Sequence, residues 1–278
     1  MQIENIEISH PDKIIFSEKN ISKRDMLTYY SKIAKYILPY LKNRPLTLQR
    51  FPDGIDQNGF YQKNASKYFP DFIERVEIKT EDGTNEQVIC NDKKSLIYLV
   101  NQGTVSFHTW LSKYNELQKP NKVIIDLDPS DNDFNKVKKA AKVIKDFFEV
   151  RYNTPKLMTT GKNGLHIWCY INPDTEFDDV RTTLKKNIEE LVKAHPDLLT
   201  AEVRKEDRNG KIFIDYLRNA YGQTSVCPYS LRANSECGIA TPIKWSELNR
   251  LSSAGRYSID NIFRRLGQID STFIEKGL

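Results

Sequence analysis

The sequence predicts an α+β fold, and three observations carry the prediction. Stretches with apolar residues at three- and four-residue steps alternate with short runs rich in β-branched residues. One pair of runs flanks an Asp-Gly turn, the mark of a hairpin. Several runs also follow one another with no helix between them, which strict βαβ alternation does not allow. At 278 residues the chain has the length of one large domain or two small ones. It is read as one domain over 1–278 with two packed lobes.

The first clear element is a helix near 22–41. Leu27, Tyr30, Ala34, Ile37 and Leu41 share a face, and Ser22 with Asp25 forms a capping box. Pro45 stops it, and Leu46–Phe51 reads as a strand. Val76 and Ile78 alternate, Asp82-Gly83 supplies a turn, and Val88 and Ile89 lead the return strand. Ser95–Gly103 reads as a short helix ended by glycine. Lys122–Asp128 is a β-branched strand broken by Pro129 and Ser130. Phe134, Val137, Ala141, Ile144 and Phe148 mark the next helix. Lys156–Thr159 and Leu165–Ile171 are strands joined by a tight loop over 161–164. A helix on Phe177, Val180, Leu184, Ile188 and Leu191 follows, then a strand over Ile212–Leu217. A short helix from Ile259 to Leu266 ends at Gly267.

Composition excludes several classes. Hydrophobic residues make 39% and charged residues 28% of the chain, which is globular and argues against disorder, collagen repeats and coiled coils. There is no apolar run long enough to span a bilayer, and MQIENIEISHPDK has neither the basic nor the apolar part of a signal peptide. A cytoplasmic protein with no membrane partner is expected. Cys90, Cys169, Cys227 and Cys237 form no CxxC pair, so free thiols are expected rather than a zinc site. The net charge of +5 suits an anionic partner.

Four pieces carry candidate chemistry. Asp126 and Asp128 lie two apart on a strand and point to one face, with Val123, Ile125 and Leu127 on the other. Two carboxylates so placed repel unless a cation lies between them, and hard oxygen ligands suit Mg²⁺ or Mn²⁺. The same spacing also fits a strand end with solvated acids. In Thr159-Thr160-Gly161-Lys162-Asn163-Gly164-Leu165-His166, glycine-freed amides and Lys162 suit a phosphate, and His166 aligns with Trp168 and Tyr170. A hairpin turn before a satisfied core histidine is the competing reading. Asp215 sits between apolar neighbours in the strand over Ile212–Leu217, where a carboxylate needs a cation or a basic partner such as Arg218. Finally, Arg50 and Lys63 bracket Phe60-Tyr61, a pattern that suits base stacking beside phosphates, or a turn pinned to the core.

In this order the pieces are far more specific than any one alone. The stretches RPLTLQRFPDGIDQNGFYQKNA (44–65), VIIDLDPSD (123–131), TTGKNGLHIW (159–168), FIDYLRNAYGQTSVCPYSLRA (213–233) and TPIKWSEL (241–248) resemble the polymerase domain of bacterial ligase D, within the archaeo-eukaryotic primase superfamily. The resemblance implies a primase-like fold with a mainly antiparallel, RRM-like sheet carrying the acids. It implies Asp126, Asp128 and Asp215 as catalytic ligands of two Mn²⁺ or Mg²⁺ ions. Nucleotide contacts would fall to Thr160, Lys162, His166, Arg218, Thr224 and Arg232. DNA contacts would fall to Lys13, Arg50, Phe60, Tyr61 and Lys63, with Lys13 near the downstream 5′-phosphate and Phe60-Tyr61 standing where the family has a Phe-Phe pair. Thr160 replaces a more usual serine, and Asn163 departs from the family's loop.

The implied activity is template-dependent nucleotidyl transfer that fills gaps at double-strand breaks in end joining, with ribonucleoside triphosphates favoured. The chain lacks the KxDG motif of a nucleotidyl-lysine ligase, so a ligase on another chain or another part of the gene is an expected partner. Competing readings are a sugar-nucleotide glycosyltransferase, a non-catalytic DNA-end module, and a primase of a mobile element.

Overall fold

The computed structural model describes residues 1–80, 83–131, 133–152 and 154–269. Over the first 110 residues the elements are β1 (Gln2–Ile3), β2 (Ile6–Glu7), β3 (Ile14–Phe16), β4 (Ile21–Ser22), α1 (Lys23–Leu41), β5 (Leu46–Arg50), β6 (Phe60–Gln62), β7 (Arg75–Thr80), β8 (Gly83–Val88), α2 (Lys93–Asn101) and β9 (Thr104–Trp110). Then come β10 (Lys122–Pro129), α3 (Phe134–Arg151), β11 (Lys156–Thr159), β12 (Leu165–Tyr170), α4 (Phe177–Ala194), β13 (Leu199–Thr200) and β14 (Ile212–Asp215). The chain closes with β15 (Thr224–Val226), β16 (Thr241–Ile243) and α5 (Ile262–Leu266).

The chain divides into two compact units. One comprises residues 1–110, 224–240 and the segment from 257 onward; the other comprises 111–223 and 241–256.

In the first unit the main sheet runs β15-β9-β5-β8-β7, with β6 pairing β5, and every pairing is antiparallel. α1 starts as its sequence dictates: the Ser22 side chain accepts from the Asp25 amide and the Asp25 side chain accepts from the Ser22 amide. Its buried face carries Met26, Leu27, Tyr30, Ile33 and Ile37. The hairpin expected around Asp82-Gly83 forms as β7 and β8, with the turn residue Asp82 outside the described residues. α2 starts earlier than its apolar spacing suggests, because the Asp92 side chain caps it at the Ser95 amide.

The second unit holds the sheet β13-β14-β10-β12-β11-β16, parallel only between β13 and β14. α3 buries Val137, Ala140, Ala141, Ile144 and Phe148 and packs on β10, β12 and β14; α4 buries Phe177, Leu184, Ile188 and Leu191. β14 ends at Asp215 rather than Leu217, because the Asp215 carboxylate accepts the Leu217 amide and turns the chain. In the first unit, α5 begins at Ile262, three residues after the apolar spacing suggests. All four cysteines are buried and free. Among the described residues no helix is long and apolar enough to cross a membrane.

Candidate active site

β10 lies between β12 and β14, and its register fixes the site. Asp126 is the direct partner of His166 on one side and of Asp215 on the other. Directly opposed residues share a sheet face, so two acids and an imidazole project from one face, with Asp128 one step along. His166 Nε2 stands 3.3 Å from Asp126 Oδ2. Its Nδ1 is buried with no hydrogen-bond partner among the described residues. A buried ring nitrogen left unpaired is costly unless a ligand meets it.

Each acid has its own environment. Asp128 Oδ2 accepts from Arg208 Nη1 at 2.9 Å. Arg208 is itself buried; it donates to the Glu202 and Val203 carbonyls and lies over the Phe213 ring. Asp215 faces Arg218 Nε at 3.6 Å, a loose pair on a half-exposed arginine. Burial pushes the Asp215 carboxyl up from its ordinary range and the Asp126 charge adds to that, while the Leu217 amide, Arg218 and His166 pull it back. The bare site is therefore short of positive charge at its centre.

Hard carboxylate oxygens on one sheet face are the donor set that divalent magnesium or manganese takes. Among the described residues no three acidic, histidine or cysteine side chains stand close enough together to hold a metal ion as they are placed. The acids instead turn outward onto Arg208, His166 and Arg218. The residues fit the ions in type, face and electrostatic need, and a cation would compete with these basic partners.

The loop before β12 is tightly built. Thr160 is buried; its hydroxyl donates to the Gly164 carbonyl and accepts the Lys162 and Gly164 amides. This hydroxyl shapes the loop. Gly161 takes φ +72°, and a Cβ on Gly164 would collide with the Leu127 carbonyl of β10. Lys162 is exposed at the tip. Asn219 braces the same strand by accepting from the Ile124 amide and donating to the Ile124 carbonyl.

The remaining predicted residues belong to the first unit. Thr224 opens β15 opposite Trp110. Arg232 follows Leu231, whose amide donates to Tyr30 Oη and whose carbonyl accepts from Ser106 Oγ. Lys63 is exposed after β6. Arg50 is buried: Nε and Nη2 donate to the Gln102 carbonyl, and Nη1 donates to Gln62 and Tyr68. Phe60 and Tyr61 are both exposed but point to opposite faces of β6. Phe60 lies under the Arg50 guanidinium at 5.4 Å, whereas Tyr61 meets the His108 ring edge-on.

Lys13 pairs with Asp53 at 2.9 Å. It also lines a hollow of about 200 Å³ with Ser9, His10, Lys23, Arg50 and Asn101. Lys23 donates to the Ser9 carbonyl and hydroxyl, and burial, aided by the Lys13 charge, lowers its pKa to about 8. Two lysines and a histidine around one hollow suit an anion. The sequence reading misses Lys23, Arg208 and Tyr68; an amphipathic pattern treats Lys23 as an ordinary first residue of α1, and no local signal names the other two.

A family model described as LigD, primase-polymerase domain, matches residues 22–273. The chain is 32% identical over 275 residues to the bifunctional non-homologous end joining protein LigD of Bacillus subtilis, which covers 97% of this chain and 44% of that protein. It is 27% identical over 265 residues to the multifunctional non-homologous end joining protein LigD of Pseudomonas aeruginosa, covering 95% and 32%. The chain thus spans less than half the length of these relatives. The solved polymerase domain from Mycobacterium tuberculosis ligase D, in complex with DNA, superposes with a TM-score of 0.88 at 23% identity, covering 95% of this chain and 94% of that one. That likeness shows the fold to be the α+β, primase-like one.

Proposed function

Since the chain belongs to the LigD primase-polymerase domain family, we propose that it is a template-dependent nucleotidyltransferase that fills gaps at broken DNA ends before ligation, favouring ribonucleotides. The observation that carries this reading is the register of Asp126 between Asp215 and His166. Phosphoryl transfer needs charge stabilisation more than covalent help, and three carboxylates beside a phosphate-binding loop supply its scaffold.

Asp126, Asp128 and Asp215 would hold two divalent ions, Mn²⁺ or Mg²⁺. When bound, such ions polarise the primer 3′-hydroxyl and neutralise charge at the α-phosphate. His166 meets the incoming triphosphate through Nδ1, its ring held in place by Asp126 at Nε2. Lys162, exposed at the tip of the 161–164 loop, and Arg218 add donors for phosphate oxygens. Thr224 and Arg232 keep the nucleotide-binding roles that the family resemblance implies. Lys13 and Lys23 hold a downstream 5′-phosphate in their hollow, which favours gap filling over general priming. Phe60 stacks on the template, and Arg50 braces it. Lys63 adds a backbone contact. Ligation would come from a separate chain or from sequence outside this one.

Primer extension on gapped DNA, with and without a 5′-phosphate, tests the reading with each ion and each sugar in turn. Templated addition that needs Asp126 supports it. Absence of addition under every condition contradicts it.

A further inference from the structure

We propose that Asn219 is a positioning residue for the metal site: its buried carboxamide stands in for a strand residue beside β10 and so fixes the direction of the Asp215 carboxylate. The inference rests on the reading above that Asp126, Asp128 and Asp215 hold divalent ions. It adds to that reading a residue that touches none of the reacting groups.

β14 pairs with β10 from Ile212 opposite Pro129 to Asp215 opposite Asp126, and β14 ends there. β10 extends further back, to Lys122. Were β14 continued in the same register, Leu217 would oppose Ile124. Leu217 does not, because its amide donates to Asp215 Oδ1 at 2.8 Å and the chain turns. Ile124 is buried, so its N–H and C=O need partners on that side. Asn219 supplies both. Its Oδ1 accepts from the Ile124 amide at 2.8 Å, and its Nδ2 donates to the Ile124 carbonyl at 2.6 Å. A carboxamide carries the donor and the acceptor of a peptide group, so the side chain completes the ladder. At 1% exposure, water has no access to replace it.

The same side chain reaches back into the turn. Nδ2 also donates to the Tyr216 carbonyl at 2.8 Å, and the Asn219 amide donates to that carbonyl at 3.1 Å. The turn from Asp215 to Asn219 is thus held at one end by Asp215 Oδ1 and at the other by Asn219 on β10. With Oδ1 committed to the turn, Oδ2 is the oxygen that faces Arg218, 3.6 Å from its Nε. That oxygen is the one a cation beside Asp126 would share. Groups that hold a metal-binding side chain in direction typically govern affinity by about 10–100-fold. No smaller polar side chain does the same work. A carboxylate lacks the donor, and a serine hydroxyl is too short to span both Ile124 groups.

The test is Mn²⁺ affinity of the nucleotide-free protein by isothermal titration, paired with amide hydrogen exchange in chelator. Both are read at a temperature where the melting curve shows each variant folded. Asn219→Ala and Asn219→Ser should weaken Mn²⁺ binding by about tenfold or more. They should also speed exchange of the Leu217 amide, which Asp215 Oδ1 holds. In an Asp215→Asn background the same substitutions should change Mn²⁺ affinity by less than about twofold, because the carboxylate they act through is gone. In an Asp128→Asn background the loss should persist. An asparagine that serves only the fold lowers the melting temperature and leaves the Mn²⁺ affinity of the folded protein alone. The proposal is overturned if the folded variants bind Mn²⁺ as wild type does, if the Leu217 amide keeps its protection, or if the loss is undiminished without the Asp215 carboxylate. It is overturned too if neither variant folds, since Asn219 then serves the fold. A wild type that binds Mn²⁺ no better than Asp126→Asn overturns the metal reading itself, whereas wild-type affinity in the Asn219 variants overturns this proposal alone.

Discussion

Asp126 and Asp215 are direct cross-strand partners on β10 and β14, so two carboxylates occupy neighbouring positions on one face of the sheet. The arrangement destabilises the bare protein, since burial already disfavours the Asp215 charge and Asp126 adds to that. Asp215→Asn should therefore raise the melting temperature of the metal-free protein, by the equivalent of roughly 1 kcal/mol, while abolishing extension. The asparagine oxygen can still accept the Leu217 amide. A melting curve recorded in chelator checks the first half; a lower melting temperature would show that the acid is there for the fold.

Arg208 competes for Asp128. Removing its guanidinium should leave that carboxylate free for a cation. Arg208→Gln should bind Mn²⁺ more tightly in an isothermal titration, by no more than about tenfold because the Asp128 side chain is 53% exposed. Unchanged or weaker affinity would place Arg208 outside metal competition.

Gly164, just before β12, lies against the Leu127 carbonyl of β10. Gly164→Ala drives a methyl group at the Leu127 carbonyl and must move the strand that carries His166. A stability loss of about 1–3 kcal/mol in urea denaturation is expected, with a raised nucleotide KM. Wild-type behaviour in both would mean the hairpin has slack that the packing does not suggest.

The hollow around Lys23 should respond to pH. Lys23 falls from its ordinary value of 10.5 to about 8, so in the free protein it is neutral above about pH 8. A phosphate needs it charged, and binding there must take up a proton. The preference for 5′-phosphate over 5′-hydroxyl DNA should fall as pH rises above about 8, by up to about tenfold per unit. Folding stability moves the other way. Between about 8 and 10.5 the unfolded chain binds more protons, so stability rises with pH. Anisotropy on the paired probes from pH 7 to 9 reads the first effect, and Lys23→Met should flatten it.

Much of this was legible in the residues, for reasons that differ by element. β10 stands out because its core-side residues are β-branched or leucine and a Pro-Ser pair ends it. Parity on β10 and β12 also puts Asp126, Asp128 and His166 on definite faces before any coordinates. β9 escapes notice because all seven residues are buried, which erases the alternation that marks a half-exposed strand. β15 and β16 are three residues each, too short to carry a period. Lys23, Arg208 and Tyr68 gain their importance from partners 14, 80 and 18 positions away, and no local pattern encodes such pairs. Tyr61 shows the converse, since strand alternation turns it to the opposite face of β6 from its neighbour Phe60.

The central claim is that the face shared by Asp126, Asp215 and His166 performs templated nucleotidyl transfer. The most direct measurement is single-turnover filling of a one-nucleotide gap bearing a 5′-phosphate, with Mn²⁺ and each of the four ribonucleotides, for wild type and Asp126→Asn. The account predicts addition only of the nucleotide complementary to the template base, and a loss of several orders of magnitude in the variant. Addition that ignores the template base, or that proceeds undiminished in Asp126→Asn, would contradict it.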